Sequence, residues 1–256
     1  MDILQSIIFG IVEGITEFLP ISSTGHLILL SKLLHIPQND FTKSFEIIIQ
    51  LGAISAVIFL YFKTLWNIET IKKLIVAFIP TGVIGLLLYK VVKTYLLGNE
   101  SIVLWSLFLG GIALVIFEYF HKEERAVVEK NISSISYREA FLIGLFQSIA
   151  IIPGVSRSAA TIVGGLSLGL RRTTIVEFSF LLAVPTMLAA SGLDLIKNYN
   201  SFSVDQLGVL SIGFTSSFVV AMGSIVFLLR YIQKHNFIMF GLYRILLPIL
   251  LWLIIF

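Results

Sequence analysis

The chain contains no cysteine in its 256 residues and only four histidines. The missing cysteine excludes disulfide bonds and thiolate catalysis, and it leaves metal binding to carboxylates or histidine. Charged residues are also scarce, at 13% of the chain, whereas a typical soluble domain has about 25%. No long polar insert is large enough to fold alone, so we expect a single domain over residues 1–256.

Apolar residues dominate instead, at 57% of the chain, and the mean hydropathy is +0.98. This composition predicts a polytopic membrane protein. A membrane-embedded backbone must satisfy its own hydrogen bonds, and the apolar runs are much longer than the roughly ten residues of a barrel strand. The predicted fold class is therefore an all-α membrane bundle.

The first half of the chain begins with two short apolar pieces, at 3–19 and about 25–34, which are separated by Pro20. Each is shorter than the roughly 20 residues that a crossing helix needs. The pattern predicts a re-entrant helix hairpin whose turn is buried by protein. Three longer runs, each predicted to cross the membrane, follow at about 45–62, 74–89 and 101–120.

After a connector at about 121–138 the same plan returns. Two short pieces at 139–152 and 158–170 flank Pro153-Gly154, and three longer runs follow at 175–196, 207–230 and 237–256. Residues 10–23 align without gaps on residues 144–157, with low identity. Because each half has three crossings, the second half should be inverted. We expect two inverted-topology repeats, at about 1–120 and 139–256, whose hairpin tips at 18–25 and 153–158 meet.

Basic residues predict the orientation of the bundle. Eleven lie on one side of the expected topology, and five lie on the side of the N-terminus: Lys32, Lys43, Lys90, Lys93 and Lys197. The richer side should be cytoplasmic. Both termini and the entrance of the first hairpin are then outside. Such loops also account for the net charge of +3, and we expect no nucleic-acid partner.

Polar residues concentrate at 13–26, which reads EGITEFLPISSTGH. Glu13 and Glu17 are four residues apart and would share one helix face. Two carboxylates at that spacing repel each other unless a cation, a proton or an arginine lies between them. The pair predicts a divalent-cation site, or a base beside a metal ligand. The alternative is a solvated pair near the membrane interface.

The hydroxyls of Ser22, Ser23 and Thr24 follow Pro20 at the start of a short helix. Helix N-termini bind anions, phosphate above all, although simple N-capping explains the same residues. His26 lies one turn further on. It could be a general acid or base, a nucleophile toward phosphorus or a metal ligand, and the alternative is a structural histidine.

The second break reads PGVSRSAAT at 153–161. Arg157 lies between Ser156 and Ser158, and Thr161 would project from the same helix face as Arg157. An arginine at membrane depth needs an anionic partner, and its planar group suits phosphate or carboxylate. A salt bridge from Arg157 to Glu13 or Glu17 is the structural alternative, and both interactions can occur in one protein.

These two motifs, together with FSFLLAVP at 178–185, resemble the undecaprenyl-diphosphate phosphatases of bacteria, the family associated with bacitracin resistance. The resemblance covers the whole chain. It implies hydrolysis of undecaprenyl diphosphate at an outward-facing site in the bacterial plasma membrane, among membrane lipids, in inverted repeats that tend to dimerise.

The same resemblance implies roles for individual residues. Glu13 and Glu17 would be essential acids linked to a divalent cation, Mg²⁺ or Ca²⁺. Ser23 and His26 would belong to a catalytic loop, and the phosphate-binding loop would contain Ser156, Arg157 and Thr161.

Three chemical routes remain open from the sequence. Ser23 could attack phosphorus while His26 or a glutamate accepts its proton, His26 could itself attack, or Glu17 could activate a water molecule. A lipid-phosphate transporter, or flippase, is the competing function, alone or in addition to hydrolysis, since broken helices in inverted repeats are also found in transporters. A third possible function is that of a non-catalytic helix bundle that only binds lipid phosphate. We expect Phe, Leu and Ile near the hairpins to line the lipid groove. Gly82 and Gly85, and also Gly164 and Gly165, should allow close helix packing.

Overall fold

The computed structural model describes residues 1–37, 39–96, 99–121, 131–198 and 206–255. Regular structure within these ranges is helical. The α-helices are α1 Ile3–Thr16, α2 Ser23–Leu33, α3 Asp40–Leu60, α4 Phe62–Leu65, α5 Ile68–Val91, α6 Glu100–Phe120, α7 Tyr137–Gln147, α8 Arg157–Ser167, α9 Arg172–Asn198, α10 Leu207–Ile232 and α11 Ile238–Ile255. A π-helical turn at Val92–Leu96 and 3₁₀ turns at Ile132–Ser134 and Ser148–Ile151 complete them.

Five of the described helices contain apolar spans long enough to cross a membrane: Phe41–Leu60, Ile68–Val91, Glu100–Phe120, Arg172–Gly192 and Leu207–Ile232. The predicted polytopic membrane protein is thereby confirmed. The sixth predicted crossing corresponds to α11, which has 18 residues and is therefore slightly shorter than the hydrocarbon core it would cross.

Both predicted hairpins contain two short helices, but their boundaries differ from the prediction. The first break contains Pro20 as expected, and α2 begins at Ser23, before the predicted start at about 25. The second hairpin begins at Tyr137, inside the residues predicted as a connector, because Ser136 and Glu139 form a capping box there. Residues 122–130 of that connector lie outside the described residues.

The second helix of each hairpin starts with the same backbone geometry. Ser22 and Ser156, which are 134 residues apart, both have positive φ, at 73° and 75°. Each side-chain oxygen accepts a hydrogen bond from the backbone N–H three residues later, at Gly25 and Ala159. Positive φ is costly for a residue with a Cβ, and the cap partly offsets that cost.

The ends of these helices match as well. His35 and Gly169 have positive φ, and the next residue in each case closes a wide turn: the Ile36 N–H donates to Ser31 at 2.8 Å and the Leu170 N–H donates to Gly165 at 3.1 Å. The members of each matching pair are again 134 residues apart: His35 and Gly169, Ile36 and Leu170, and Ser31 and Gly165. The low identity between the two halves therefore conceals a repeated backbone conformation.

Glycines bring each hairpin against a long helix. A Cβ on Gly10 of α1 would lie 2.6 Å from the carbonyl oxygen of Gly213 in α10, and a Cβ on Gly144 of α7 would lie 1.8 Å from that of Ala77 in α5. Any larger residue would separate these backbones. In the rest of the bundle α3 packs against α9 and α10, and α6 packs against α11.

Polar contacts fix the base of each hairpin. Lys32 at the end of α2 forms an ion pair with Glu100 at the start of α6. Before α7, the carbonyl of Ser133 accepts a 2.5 Å hydrogen bond from Lys73, and the hydroxyl of Tyr137 donates to Glu69 at 2.9 Å. The first hairpin is thus held at the start of α6 and the second at the start of α5.

Candidate active site

The two hairpin tips are in direct contact. The hydroxyl of Ser158, at the start of α8, donates a 2.8 Å hydrogen bond to the carbonyl of Leu19 in the first break. Ser158 itself lies 3.2 Å from the hydroxyl of Ser156. The predicted meeting of residues 18–25 with residues 153–158 is confirmed, and polar groups from both breaks share one buried region.

Glu17 lies at the centre of that region, with 7% of its surface exposed. Its Oε2 accepts a 2.5 Å hydrogen bond from the Ser23 hydroxyl, and its Oε1 accepts a 3.1 Å bond from Arg157. The salt bridge considered for Arg157 is therefore present, and Glu17 rather than Glu13 is its partner. The carboxylate lies between a hydroxyl and a fixed cation, each supplied by a different hairpin.

Arg157 is positioned by α9. One guanidinium nitrogen donates to the carbonyl oxygen of Ser179 at 2.6 Å, and the Ser179 hydroxyl lies 2.6 Å from that of Thr161. Thr161 also donates to backbone carbonyls of its own helix. The Thr161 hydroxyl therefore contacts the side chain of the residue whose backbone carbonyl accepts from Arg157. Ser179 is a functional candidate that the sequence analysis missed, although it is a polar residue within an apolar run.

Glu13 is fully buried, and neither of its carboxylate oxygens has a hydrogen-bond partner. Glu17, Glu46 and Arg157 are the charged groups close enough to interact with it electrostatically. An ionised carboxylate in this position needs a proton or a cation. The described residues contain no cluster of three or more His, Asp or Glu side chains around a common metal position. Glu13 and Glu17 could thus supply only part of a coordination shell.

His26 faces away from Glu17. Its Nδ1 lies 2.7 Å from the carbonyl oxygen of Ser22, and its Nε2 lies 2.7 Å from the hydroxyl of Tyr243 in α11. The two rings stack with an interplanar angle of 5°. Because a carbonyl only accepts, Nδ1 carries the proton, and a neutral ring then accepts at Nε2 from the tyrosine. The structure does not bring the predicted His26 into contact with Ser23 or Glu17.

Arg244 in α11 holds the two tips together. This side chain is fully buried, and its guanidinium donates to the carbonyls of Pro20 at 3.3 Å, Gly154 at 3.1 Å and Val155 at 3.0 Å. A fourth bond reaches Ser106 of α6 at 3.3 Å. Sequence reasoning missed Arg244, because its partners are backbone carbonyls, which leave no trace in the sequence.

A cavity of about 550 Å³ lies elsewhere, between Lys63, Arg171 and Glu177. A larger one of about 800 Å³ opens beside the hairpin tips. The polar lining of the larger cavity includes Glu17, Ser22, Ser23, Thr24, Thr81, Gln147, Ser156, Arg157 and Thr186. Glu13, His26, Ser158 and Thr161, which the sequence analysis also selected, do not line it.

Much of the remaining lining of the larger cavity is apolar. Its lining includes Phe78, Ile79 and Leu86 of α5, Ile151 beside the second break, and Met187 of α9. Phe, Leu and Ile near the hairpins were expected to line a lipid groove; the apolar residues that line this cavity lie mainly on α5, and the groove itself stays a prediction. The expectation of close helix packing is wrong for Gly82 and Gly85: both border the cavity, and a Cβ on Gly85 would meet only Ile151, at 4.0 Å. It is confirmed for Gly164 and Gly165, where a Cβ would lie 2.6 Å from Phe146 of α7 and 2.3 Å from Ile175 of α9.

Comparison with known proteins identifies relatives over nearly the whole chain. The family model described as bacitracin resistance protein BacA matches residues 6–250. A protein named undecaprenyl-diphosphatase from Sulfurihydrogenibium sp. (strain YO3AOP1) is 51% identical over 253 residues, covering 99% of both chains. Proteins of the same name from Wolinella succinogenes and Methanococcus aeolicus are 52% and 47% identical, covering 98% of this chain and 97% and 98% of their own. This chain belongs to the bacitracin resistance protein BacA family.

Proposed function

We propose that this membrane protein is a phosphatase that hydrolyses undecaprenyl diphosphate to undecaprenyl phosphate and inorganic phosphate. The observation that carries the proposal is the position of Glu17, which accepts hydrogen bonds from the Ser23 hydroxyl and the Arg157 guanidinium and lines a cavity that has both polar and extensive apolar lining. A diphosphate head with a polyprenyl tail has the same two-part character. The shared name of the relatives favours hydrolysis over a flippase.

Ser23 is the proposed nucleophile and Glu17 the proposed general base. The Ser23 hydroxyl already donates to Glu17, so the proton can pass to the carboxylate as the serine oxygen attacks the terminal phosphorus. The bond from that phosphorus to the bridging oxygen breaks, and undecaprenyl phosphate leaves. His26 does not contact Ser23 in this arrangement, which makes Glu17 the better proton acceptor. A second step, in which water attacks the phosphorylated serine, would return the hydroxyl and release phosphate.

Arg157 and the two helix starts would stabilise the charge of the diphosphate. The first N–H groups of a helix have no partner within it, and Ser22 and Ser156 each cap only one of them. Ser22, Thr24 and Ser156 line the cavity at these helix starts. Charge stabilisation of this kind provides most of the catalysis in phosphoryl transfer.

A divalent cation, Mg²⁺ or Ca²⁺, fits the two carboxylates. Both oxygens of Glu13 are buried without a partner, and Glu17 lies one helical turn away. Mg²⁺ usually takes one or two carboxylates and completes its shell with water and substrate phosphate oxygens, so a pair of glutamates is sufficient. Glu13 and Glu17 would hold the ion, which when bound would neutralise phosphate charge.

The site would open to the outer side of the bacterial plasma membrane, with both termini outside and the two halves arranged as inverted repeats. Three observations support this arrangement. The excess of Lys and Arg in one set of loops marks the cytoplasmic side. The hairpins are held at the starts of α6 and α5, which are opposite ends of the bundle. Finally, α1 packs against α10 as α7 packs against α5. Homodimer formation stays a prediction.

Phosphate release by the detergent-purified protein tests the proposed function. We expect inorganic phosphate from undecaprenyl diphosphate and its loss in Ser23→Ala, and no release from the unchanged protein would overturn the proposal. Rapid quenching should then trap a phosphorylated protein with the adduct on Ser23. An adduct on His26 would contradict the serine route, and labelled solvent oxygen in phosphate after one turnover without any adduct would contradict both covalent routes.

A further inference from the structure

Gln147, the last residue of α7, is a polar group in the cavity that the scheme above does not use. It is 1% exposed and lines the same cavity as Glu17, Ser23 and Arg157. Its carbonyl oxygen, Oε1, is buried and has no hydrogen-bond partner. A buried acceptor without a partner is uncommon in proteins, and it calls for a ligand or an ordered water molecule.

Two threonines fix which way the amide points. The Gln147 Nε2 donates to Thr81 at 2.9 Å and to Thr186 at 3.2 Å. Each threonine hydroxyl donates its own proton to a backbone carbonyl, of Gly144 and Leu182 respectively. The threonine oxygens can therefore only accept, and they require the NH₂ group of Gln147 on their side. The orientation that leaves Oε1 free follows from this network.

The free atom is an acceptor, so its partner is a donor or a cation, and the cation of the proposed site is already assigned to Glu13 and Glu17. The oxygens of an ionised diphosphate are themselves acceptors and would repel Oε1. A water molecule can donate to it, and hydrolysis consumes a water molecule inside this largely apolar cavity. We propose that Oε1 of Gln147 binds and orients the hydrolytic water. This inference rests on the proposed phosphatase function.

In this arrangement one O–H of the water donates to Gln147 and the other to Glu17. When the water oxygen bonds to phosphorus, the bond from phosphorus to the Ser23 oxygen breaks. The water proton passes to Glu17, which returns to the serine oxygen the proton it took in the first step, and inorganic phosphate leaves. Glu17 then releases its remaining proton to solvent and is again a carboxylate. If water attacks the diphosphate directly, the same two acceptors orient it, and undecaprenyl phosphate is the leaving group.

The test measures how the phosphoryl group divides between water and added methanol. Gln147→Met removes the acceptor while preserving the length of the side chain. We expect its hydrolysis rate to fall by about tenfold or more, with little change in KM, and the fraction of methyl phosphate to rise. Gln147→Asn keeps the amide but has a side chain that is shorter by one methylene. It should also raise the fraction of methyl phosphate.

Ser148→Ala is the matched control, because Ser148 is the adjacent buried residue and donates only to the Gly144 carbonyl, outside the cavity. Ser148→Ala should give the same fraction of methyl phosphate as the unchanged protein. Folding of each variant is checked by its thermal unfolding in detergent. An unchanged fraction in both Gln147 variants would overturn the inference alone, as would a raised KM with unchanged kcat. No phosphate release by the unchanged protein would overturn the proposed function and the inference with it.

Discussion

Ser23 and Glu17 face each other across the first helix break, with the serine oxygen 2.5 Å from Oε2 of the carboxylate. The chain reverses between them, so that residues six positions apart form a single unit. Their separation along the chain is wrong for one continuous helix, in which neighbours on a face are three or four residues apart. The break is therefore what brings the hydroxyl to its acceptor.

Glu17→Gln should abolish most of the activity. The amide cannot take the proton of Ser23 and loses the ion pair with Arg157, so we expect phosphate release to fall by a factor of about 100 to 10,000. Glu100→Gln is a matched control, since it breaks a partly exposed ion pair with Lys32 and should cost at most about 1 kcal/mol of stability. Equal loss in both variants would show that the effect is not specific to the site.

Replacing Arg244 should disturb both tips together. Arg244→Met leaves the carbonyls of Pro20, Gly154 and Val155 without their donor, and an unsatisfied buried group costs about 1–3 kcal/mol. We expect a lower thermal unfolding temperature in detergent and a large loss of activity. Arg230→Met, which removes an exposed arginine from α10, is the control. An unfolding temperature as high as that of the control would mean that Arg244 does not brace the tips.

Ser156 combines a helix cap with positive φ, and two substitutions separate these properties. Ser156→Ala loses the cap and keeps the unfavourable backbone conformation, whereas Ser156→Gly loses the cap and removes the steric cost of positive φ. The glycine variant should be more stable than the alanine variant by about 1 kcal/mol. Comparison of their unfolding temperatures tests this, and the opposite order would contradict the φ of 75°.

Filling the cavity at Gly85, beside the apolar residues of α5, should affect long lipids most. A tryptophan at Gly85 would project into space that now holds no atom closer than Ile151 at 4.0 Å. We expect Gly85→Trp to lower kcat/KM for undecaprenyl diphosphate by about tenfold or more and to spare a diphosphate with a single isoprene unit.

Gly208→Trp controls for the bulk of the new side chain in that comparison, since a Cβ at Gly208 also meets nothing within 4 Å and the residue lies outside this cavity. If Gly85→Trp lowered kcat/KM by the same factor for both substrates, the polyprenyl tail would bind elsewhere.

The sequence predicted those features that depend on chain-local chemistry. Long apolar runs predicted the crossing helices, and Pro20 and Pro153-Gly154 predicted the two breaks. Because charged residues are rare in this chain, Glu17 and Arg157 were conspicuous. The same order of segments in the two halves predicted that the two hairpin tips meet. These inferences needed only the cost of polar groups and of broken helices in a membrane.

The missed features depend on contacts between distant segments. Arg244 bonds to a carbonyl 224 residues away, and every residue has a carbonyl. The direction in which His26 points is set by Tyr243, which the pattern of the first hairpin does not reveal. Gly82 and Gly85 suggest helix packing in a sequence, but whether a neighbouring helix fills the space depends on the tertiary arrangement.

Helix α5 borders the larger cavity, and many of its side chains are exposed at the surface of the protein: Leu86 is 73% exposed and the adjacent Leu87 is 76% exposed. On the proposed function, acyl chains touch this helix, and a polyprenyl tail can reach the cavity from within the bilayer. The encounter rate then depends on the number of substrate molecules per unit area of membrane. Diluting proteoliposomes with buffer would leave turnover per enzyme unchanged, whereas diluting the substrate with inert phospholipid at constant volume would slow it.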